Sequence, residues 1–157
     1  MRIGFGYDSH RFTVGRPLIL AGQIIPFGQG LAGHSDADAV AHALIDAMLG
    51  AAAIGNIGTL FPDSDQRWKD ANSMDLLRSA YELVLAKGWK LAQADITIIV
   101  ERPMLSPHLP AMSRALANVV GLPDDAISVK AKTNEGMGFF GRGEGIAVMA
   151  VALLEAR

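Results

Sequence analysis

The sequence predicts an α+β fold in which helices pack on one face of a mixed β-sheet, formed by a single domain over residues 1–157. Segments typical of paired strands alternate with amphipathic helical segments along the chain. The segment 146–152 is apolar on both faces, which predicts a strand that is covered on both sides. With helices on one side only, the other face is expected to contact a partner, and the mean hydropathy of +0.26 agrees with such extra apolar surface.

A strand and a hairpin are predicted first. Residues 1–7 indicate a strand rather than a signal or transit segment. Two short apolar runs, 18–20 and 24–25, flank the turn residues Ala21-Gly22, an arrangement typical of a hairpin.

Three helices and three further strands complete the predicted fold. The first helix begins at Ser35, whose spacing from Asp38 resembles a capping box, and its apolar residues are 40, 41, 44, 45, 48 and 49. After a turn-rich loop over 56–72, the second helix runs from Ser73 to Lys87, with an apolar face of Leu76, Leu77, Ala80, Leu83 and Val84. The third helix opens with Ser106-Pro107 as its cap and first residue, and it closes at Gly121. The strands are predicted at 96–100, 127–133 and 145–154.

The composition excludes several classes of protein. The net charge of −2 gives no reason to expect a nucleic acid or an anionic membrane as a partner. The absence of cysteine excludes disulfides, thiolate zinc sites and cysteine nucleophiles, and it suits the reducing cytoplasm. No apolar run approaches the roughly 20 residues that a membrane helix needs.

Asp8, His10 and His42 form a candidate metal site. Asp8 and His10 are two residues apart on a predicted strand, so their side chains point to the same side. His42 follows on the first predicted helix, one turn before Asp46, which is expected to orient it. Two imidazoles and a carboxylate suit zinc and leave a fourth position for substrate. Spacing alone does not bring the three together, so solvated strand-end residues and a hydrogen-bonded helix histidine are the alternative.

Two segments are candidates for binding phosphate. His34 and Ser35 stand at the predicted start of the first helix, where free N–H groups and the helix dipole attract anions. Near the C-terminus, Thr133, Glu135 and Arg142 suit a site for a diphosphate and a divalent cation. The glycines around them also fit a tight turn between strands, and the Gly-Lys-Ser/Thr of a P-loop is absent.

Taken together, the motifs resemble the 2-C-methyl-D-erythritol 2,4-cyclodiphosphate synthase family. One motif alone would be weak, but the set occurs in the family's order over nearly the whole chain. It consists of RIGFGYDSH at 2–10, GHSDAD at 33–38 with His42, GNIG at 55–58, FPDSD at 61–65, Arg102-Pro103, VKAKTNE at 129–135 and GRGEGI at 141–146.

The resemblance implies a homotrimer whose sheets face the trimer axis and whose active sites are shared between subunits. Zn²⁺ would be held by Asp8, His10 and His42, and Mg²⁺ or Mn²⁺ by Glu135, while His34 and Thr133 would stabilise the transition state. The phosphate and sugar portions of a cytidine diphosphate substrate would contact Asp8, Ser9, His10, His34, Ser35, Asn56, Ile57, Gly58, Phe61, Pro62, Asp63, Ser64 and Asp65. The remaining implied contacts, largely with the cytidine, are Val100, Glu101, Arg102, Pro103, Met104, Leu105, Ser106, Ala131, Lys132, Thr133, Asn134 and Glu135, with Phe139 and Arg142 near the trimer axis.

The implied reaction is a cyclisation. The 2-phosphate of 4-diphosphocytidyl-2-C-methyl-D-erythritol 2-phosphate attacks its own β-phosphorus and CMP leaves, in the methylerythritol phosphate pathway to isoprenoids. The second pKa of a phosphate monoester is about 6, so the nucleophile is ionised at neutral pH without a general base. Asn56 and Met104 depart from the Asp and Lys that are usual in the family, which affects the expected affinity. A zinc phosphohydrolase and a non-catalytic trimeric nucleotide- or isoprenoid-phosphate-binding protein are the alternatives, and CMP release distinguishes them.

Overall fold

The apolar patterns of the chain form seven strands and five helices in the structure, a computed structural model that describes all 157 residues. The strands are β1 (Arg2–Thr13), β2 (Leu18–Leu20), β3 (Gln23–Ile25), β4 (Gly30–Leu31), β5 (Trp89–Ile99), β6 (Ile127–Lys132) and β7 (Gly145–Ala156). The helices are α1 (Ala39–Ala52), α2 (Ile57–Leu60), α3 (Ser73–Ala86), α4 (Leu109–Val120) and α5 (Gly138–Gly141).

The main sheet is mixed, as predicted, with the order β4-β1-β7-β5-β6. Strand β7 pairs antiparallel with both β1 and β5, and β5 pairs parallel with β6. Strands β1, β5 and β6 therefore run in the same direction, and their C-terminal ends share one edge of the sheet. Strands β2 and β3 form the predicted hairpin, and the structure shows that it is separate from the main sheet. Its turn residues Ala21 and Gly22 both have positive φ, 50° and 71°.

Helix α1 lies directly against β1 because two glycines of that strand present no side chain to it. A Cβ atom on Gly4 would lie 1.9 Å from the carbonyl oxygen of Ala47, and one on Gly6 would lie 1.9 Å from that of Ala43. Since alternate strand residues face opposite sides, Asp8 faces the helix-covered side together with these glycines. The start of α1 is thereby held close to the end of β1.

The opposite face of the sheet carries apolar side chains without cover. Ile3 is 73% exposed, Phe5 62%, Tyr7 46% and Val151 42%. Helices therefore pack on one face only, as the sequence predicts, and the other face is a large apolar surface on a single chain.

The predicted start of the first helix is wrong. Helix α1 begins at Ala39, and its N-cap is Asp38, whose carboxylate accepts a hydrogen bond from Ala41 N–H at 3.1 Å. Ala37 has a left-handed backbone, with φ of 57°, which separates Ser35 from the helix. Ser35 accordingly lies in the loop before α1, not at a helix N-terminus.

Two details of the other helices also differ. Ser106 begins a 3₁₀ turn that ends at His108, and α4 starts at Leu109. On α3, Leu83 is 43% exposed, while Tyr81 is buried and its hydroxyl accepts a hydrogen bond from a backbone N–H of β5. None of the helices is long and apolar enough to cross a membrane.

Candidate active site

Asp8 and His10, in the C-terminal half of β1, meet His42 in the first turn of α1, which confirms the predicted convergence. Asp8 Oδ2 lies 2.8 Å from His10 Nε2 and 3.2 Å from His42 Nδ1. One ligand atom from each of the three side chains lies within 4.8 Å of the other two.

This donor set suits a divalent metal ion such as zinc. Ligand atoms about 2.0–2.1 Å from a tetrahedral zinc ion lie about 3.3–3.4 Å apart. Asp8 Oδ2 lies 3.2 Å from His42 Nδ1, close to this value, and 2.8 Å from His10 Nε2. Two imidazole nitrogens and one carboxylate oxygen leave one tetrahedral position for another ligand. Asp8, His10 and His42 would therefore hold the ion.

Asp8 and His10 each stabilise the charged form of the other. Burial raises the pKa of Asp8, but hydrogen bonds from His10 and His42 outweigh burial and hold this pKa below its usual value. Burial lowers the pKa of His10, but the hydrogen bond to Asp8 and the charge of Asp8 outweigh it and raise this pKa. A metal ion would therefore compete with a proton on His10.

Each histidine of the site has a partner on its other ring nitrogen. His10 Nδ1 lies 2.6 Å from the carbonyl oxygen of Ala32, which can only accept, so Nδ1 donates and Nε2 faces Asp8. His42 Nε2 lies 2.8 Å from Ser73 Oγ and 3.2 Å from Ser35 Oγ.

The predicted orientation of His42 by Asp46 is wrong. Asp46 Oδ1 instead accepts a hydrogen bond from Ile57 N–H at 2.7 Å, and so connects α1 to the start of α2. Burial raises the pKa of Asp46, although this hydrogen bond opposes the shift. Asp46 therefore fixes the loop beside the metal site and does not orient the metal ligand His42.

A cavity of about 310 Å³ opens over the three metal-site residues. It brings together ten predicted site residues, and its lining consists of Asp8, His10, Gly33, His34, Ser35, His42, Ile57, Gly58, Phe61, Pro62, Asp63, Trp68 and Leu76. His34 Nε2 donates to the carbonyl oxygen of Asp65 at 3.2 Å, which links the two loops that border the cavity. Arg16 donates to the carbonyl oxygens of Gly33, at 2.6 Å, and of Ser35, and so holds the loop that carries His34.

Asn56 and Asp65 act as caps within the second of these loops. Asn56 Oδ1 accepts from both the backbone N–H and the hydroxyl of Thr59, each at 2.9 Å, so this oxygen is already engaged. Asp65 pairs with Arg67 at 2.6 Å, and the hydrogen bonds from Arg67 lower the pKa of Asp65. Ser64, between Asp63 and Asp65, is exposed.

A second cavity, of about 350 Å³, contains the segments predicted for cytidine. It is lined by Val100, Glu101, Arg102, Pro103, Met104, Leu105, Ser106, Ala131, Lys132 and Thr133. Beside it, Glu101 Oε1 accepts from the N–H groups of Asn134, at 2.8 Å, and of Gly136, at 3.2 Å. Glu135, between them, has a left-handed backbone with φ of 53°, so the carboxylate of Glu101 stabilises the turn that presents Glu135.

Phe139 and Arg142 lie apart from both cavities. The ring centroids of Phe139 and Phe140 are 4.2 Å apart, and Arg142 Nε donates to Glu144 at 2.8 Å. A smaller cavity of about 190 Å³ is lined by Ser9, His10, Arg11, Phe139, Phe140, Glu144 and Gly145.

Sequence reasoning missed several residues that support or line the site, namely Arg16, Asp36, Trp68, Ser73 and Leu76. Ser73 begins a helix and Asp36 lies in a turn, positions at which both residue types are common for local reasons. No pattern in the sequence distinguishes that local use from a contact with a distant histidine.

The comparisons with known proteins agree with this geometry. A sequence model of the YgbB family matches residues 1–155. A curated relative from Moorella thermoacetica, named 2-C-methyl-D-erythritol 2,4-cyclodiphosphate synthase, is 55% identical over 154 residues, or 98% of this chain and 94% of the relative.

Solved structures give the same match. A 2C-methyl-D-erythritol-2,4-cyclodiphosphate synthase in its CDP-bound form superposes with a TM-score of 0.90 and 45% identity, over 98% of this chain and all of that chain. The bifunctional IspDF of Campylobacter jejuni superposes with a TM-score of 0.96 and 44% identity over 99% of this chain. This chain spans 42% of that bifunctional protein.

Proposed function

Because the chain belongs to the YgbB family, the 2-C-methyl-D-erythritol 2,4-cyclodiphosphate synthase family, we propose which of its residues carry out the family's reaction. In that reaction, 4-diphosphocytidyl-2-C-methyl-D-erythritol 2-phosphate becomes 2-C-methyl-D-erythritol 2,4-cyclodiphosphate, and CMP is released. The observation that carries the assignment is the convergence of Asp8, His10 and His42 beneath a polar cavity.

The chain's contribution is to fold the substrate and to neutralise its charge. Zn²⁺ bound by Asp8, His10 and His42, and Mg²⁺ or Mn²⁺ bound by Glu135, would supply positive charge to the phosphates. The attacking phosphate is ionised at neutral pH, so no residue has to remove a proton from it. Binding both ends of one molecule turns the attack into a well-oriented intramolecular step.

His34 and Thr133 are assigned to the transition state. His34 lines the cavity over the metal site, and its ring donates to Asp65 of the loop opposite, which supports a fixed orientation. Thr133 lines the second cavity, and its hydroxyl oxygen accepts from Glu135 N–H at 3.3 Å. Thr133 would donate its hydroxyl proton to a phosphate oxygen as charge develops there, and a phosphate oxygen would compete with the Asp65 carbonyl for the N–H of His34.

The cytidine is assigned to the second cavity, lined by residues 100–106 and 131–133. A solved relative is described as a CDP-bound form, which supports a cytidine nucleotide as the ligand of this fold. Met104 is 71% exposed at this cavity and offers no cation to the phosphates. Arg102 and, at the end of β6, Lys132 are the cations available there.

We further propose a homotrimer, with the bare sheet faces around its axis and each active site shared by two subunits. The exposed side chains of Ile3, Phe5 and Tyr7 support the burial of this face. Lys132 pairs in register with Ile99 and lies on this outward face, whereas Asp8 lies on the helix-covered face. One chain therefore directs the two groups to opposite sides of its sheet.

Sharing is tested by mixing two inactive proteins, His42→Ala and a Thr133→Ala variant with a bulky residue at Pro103. Unfolding them together and refolding the mixture makes about one interface in four intact on both sides, so about a quarter of wild-type activity should return. Native mass spectrometry verifies the mixed trimers. Mixed trimers without activity would refute sharing.

Phosphorus NMR of the substrate, incubated with the protein, Zn²⁺ and Mg²⁺, tests the reaction itself. Two mutually coupled ring phosphates together with CMP are expected, and His42→Ala should give neither product. A linear phosphate product would identify a hydrolase, and bound but unchanged substrate would identify a binding protein.

The cysteine-free composition supports a cytoplasmic location, the last part of the proposal.

A further inference from the structure

We propose that Asp36 and Ser73 form a positioning pair that fixes which ring nitrogen of His42 faces the metal. The inference rests on the proposed zinc site, and it adds two residues to that site that do not touch the ion. They link the metal ligand on α1 to the loop before this helix and to the first residue of α3.

The pair is joined by hydrogen bonds to both carboxylate oxygens of Asp36, which is partly buried. Ser73 Oγ donates to Asp36 Oδ1, and Ser73 N–H donates to Asp36 Oδ2 at 3.0 Å. Asp38 N–H donates to Asp36 Oδ1 at 3.2 Å, which orients the carboxylate from a third direction. Ser73 is fully buried, so its hydroxyl has no water with which to exchange these partners.

The direction of each hydrogen bond follows from the donors and acceptors. The carboxylate of Asp36 can only accept, so the single hydroxyl proton of Ser73 is used to donate to it. The oxygen of Ser73 therefore accepts from His42 Nε2–H, 2.8 Å away. Because Nε2–H is engaged by Ser73, Nδ1 is the ring nitrogen that a metal ion would bind in place of its hydrogen bond to Asp8, which lies 3.2 Å away.

The two histidines of the site are thus oriented in different ways. His10 is fixed by the backbone carbonyl of Ala32, which no substitution of that residue's side chain removes. His42 depends on side chains, with Ser35 Oγ at 3.2 Å as a second, longer contact of the same nitrogen. Removing the hydroxyl of Ser73 should therefore weaken, but not abolish, the orientation of His42.

Zinc affinity, measured by competition with a chromophoric chelator, tests the pair. Loss of an outer partner of a metal-bound histidine typically weakens metal affinity about 10- to 100-fold. For Ser73→Ala we expect about 10-fold, because Ser35 remains, and for Ser73→Thr, which keeps the hydroxyl, recovery toward wild type. Asp36→Asn should lose at least as much as Ser73→Ala, since an amide can also donate and no longer fixes the direction of the hydroxyl.

A matched control comes from Ser113, a partly buried serine on α4. Ser113 Oγ donates to the carbonyl oxygen of Ile127 at 2.5 Å, on the far side of the fold beside β6. Ser113→Ala removes a hydroxyl in the same way, and its zinc affinity should equal that of wild type. Thermal unfolding of every variant verifies that it is folded; if Asp36→Asn is not, Ser73→Ala decides alone.

NMR of ¹⁵N-histidine-labelled protein gives a second readout, which needs neither metal nor activity. In metal-free wild type, His42 should show a proton on Nε2 that exchanges slowly, assigned by its absence in His42→Gln. In Ser73→Ala this proton should exchange rapidly. Unchanged exchange, or zinc affinity of Ser73→Ala within twofold of wild type, would overturn the pair. A wild type that binds no zinc would refute the proposed metal site instead, and the NMR comparison would still decide the pair.

Discussion

Gly6→Ala tests whether the close packing of α1 against the glycines of β1 places His42 beside Asp8. An added Cβ would lie 1.9 Å from Ala43 O and 2.7 Å from Ala47 N, which are both backbone atoms of α1. No side chain can rotate away to relieve this overlap. The helix itself has to move, and Ala43 is the residue next to His42.

The size of the effect follows from these distances. Ordinary contact begins at 3.4 Å, so α1 must move by about 1.5 Å at Ala43. Zinc sites tolerate deviations of about 0.2 Å in ligand distance, so a displacement of this size disrupts the site that His42 shares with Asp8. Overpacking typically costs about 1–3 kcal/mol. We expect about 3 kcal/mol here, or a fall in Tm of about 6–12 °C, because backbone must move.

The assay compares Gly6→Ala with Gly50→Ala by thermal unfolding and by zinc content, at one protein concentration. Gly50 lies within α1 and is exposed, and an added Cβ there would meet no atom within 4 Å. Alanine is favoured over glycine in helices by about 0.5–1 kcal/mol, so Gly50→Ala should raise Tm by a few degrees and keep full zinc content. A Gly6→Ala protein with wild-type Tm and zinc content would refute the argument.

Two further predictions concern the second cation and the pH dependence. Glu101→Ala should raise the Mn²⁺ concentration needed for half-maximal CMP release about 10-fold without loss of zinc, because the turn that presents Glu135 loses its acceptor, whereas Glu101→Gln should change little. The raised pKa of His10 stabilises the fold fully below its unfolded pKa of about 6.5, and this contribution is lost as pH rises through the folded value. In chelator, the free energy of unfolding of wild type relative to His10→Gln, measured in urea, should therefore fall as the pH rises above about 6.5. Asp8 stays ionised throughout this range because its pKa is lowered, so a flat difference would contradict the pairing of these side chains.

Local patterns in the sequence predicted the elements well where one local rule acts alone. The hairpin around Ala21-Gly22 follows from turn chemistry, and the shared side of Asp8 and His10 follows from strand periodicity. The start of α1 was predicted at the wrong residue because Ser35 and Asp38 are both good N-caps. Distant hydrogen bonds to Asp38 decide between them, and such contacts leave no periodic signal.

The predicted partner of His42, Asp46, was wrong for the same physical reason. Helical spacing predicted Asp46, one turn along the same helix. The ring instead points to Ser73, 31 residues away in sequence, and Asp46 binds the backbone of Ile57. Spacing indicates which residues share a helix face, but it does not show which way a ring turns.

The carboxyl group of Asp38, one turn before His42, is buried at a cost in stability, and this residue fixes the metal site. Asp38 is fully buried, and burial raises its pKa, which marks a cost of keeping the carboxylate ionised. It offsets that cost by accepting from Ala21 N–H at 2.8 Å, Gly22 N–H at 2.7 Å and Ala41 N–H. The hairpin turn and the start of α1 are therefore joined through one side chain. Since His42 N–H donates to the carbonyl oxygen of Asp38 at 3.0 Å, whatever fixes Asp38 also fixes the metal ligand. The burial of Asp38 is therefore explained by the position that it gives to His42, and not by a gain in the stability of the fold.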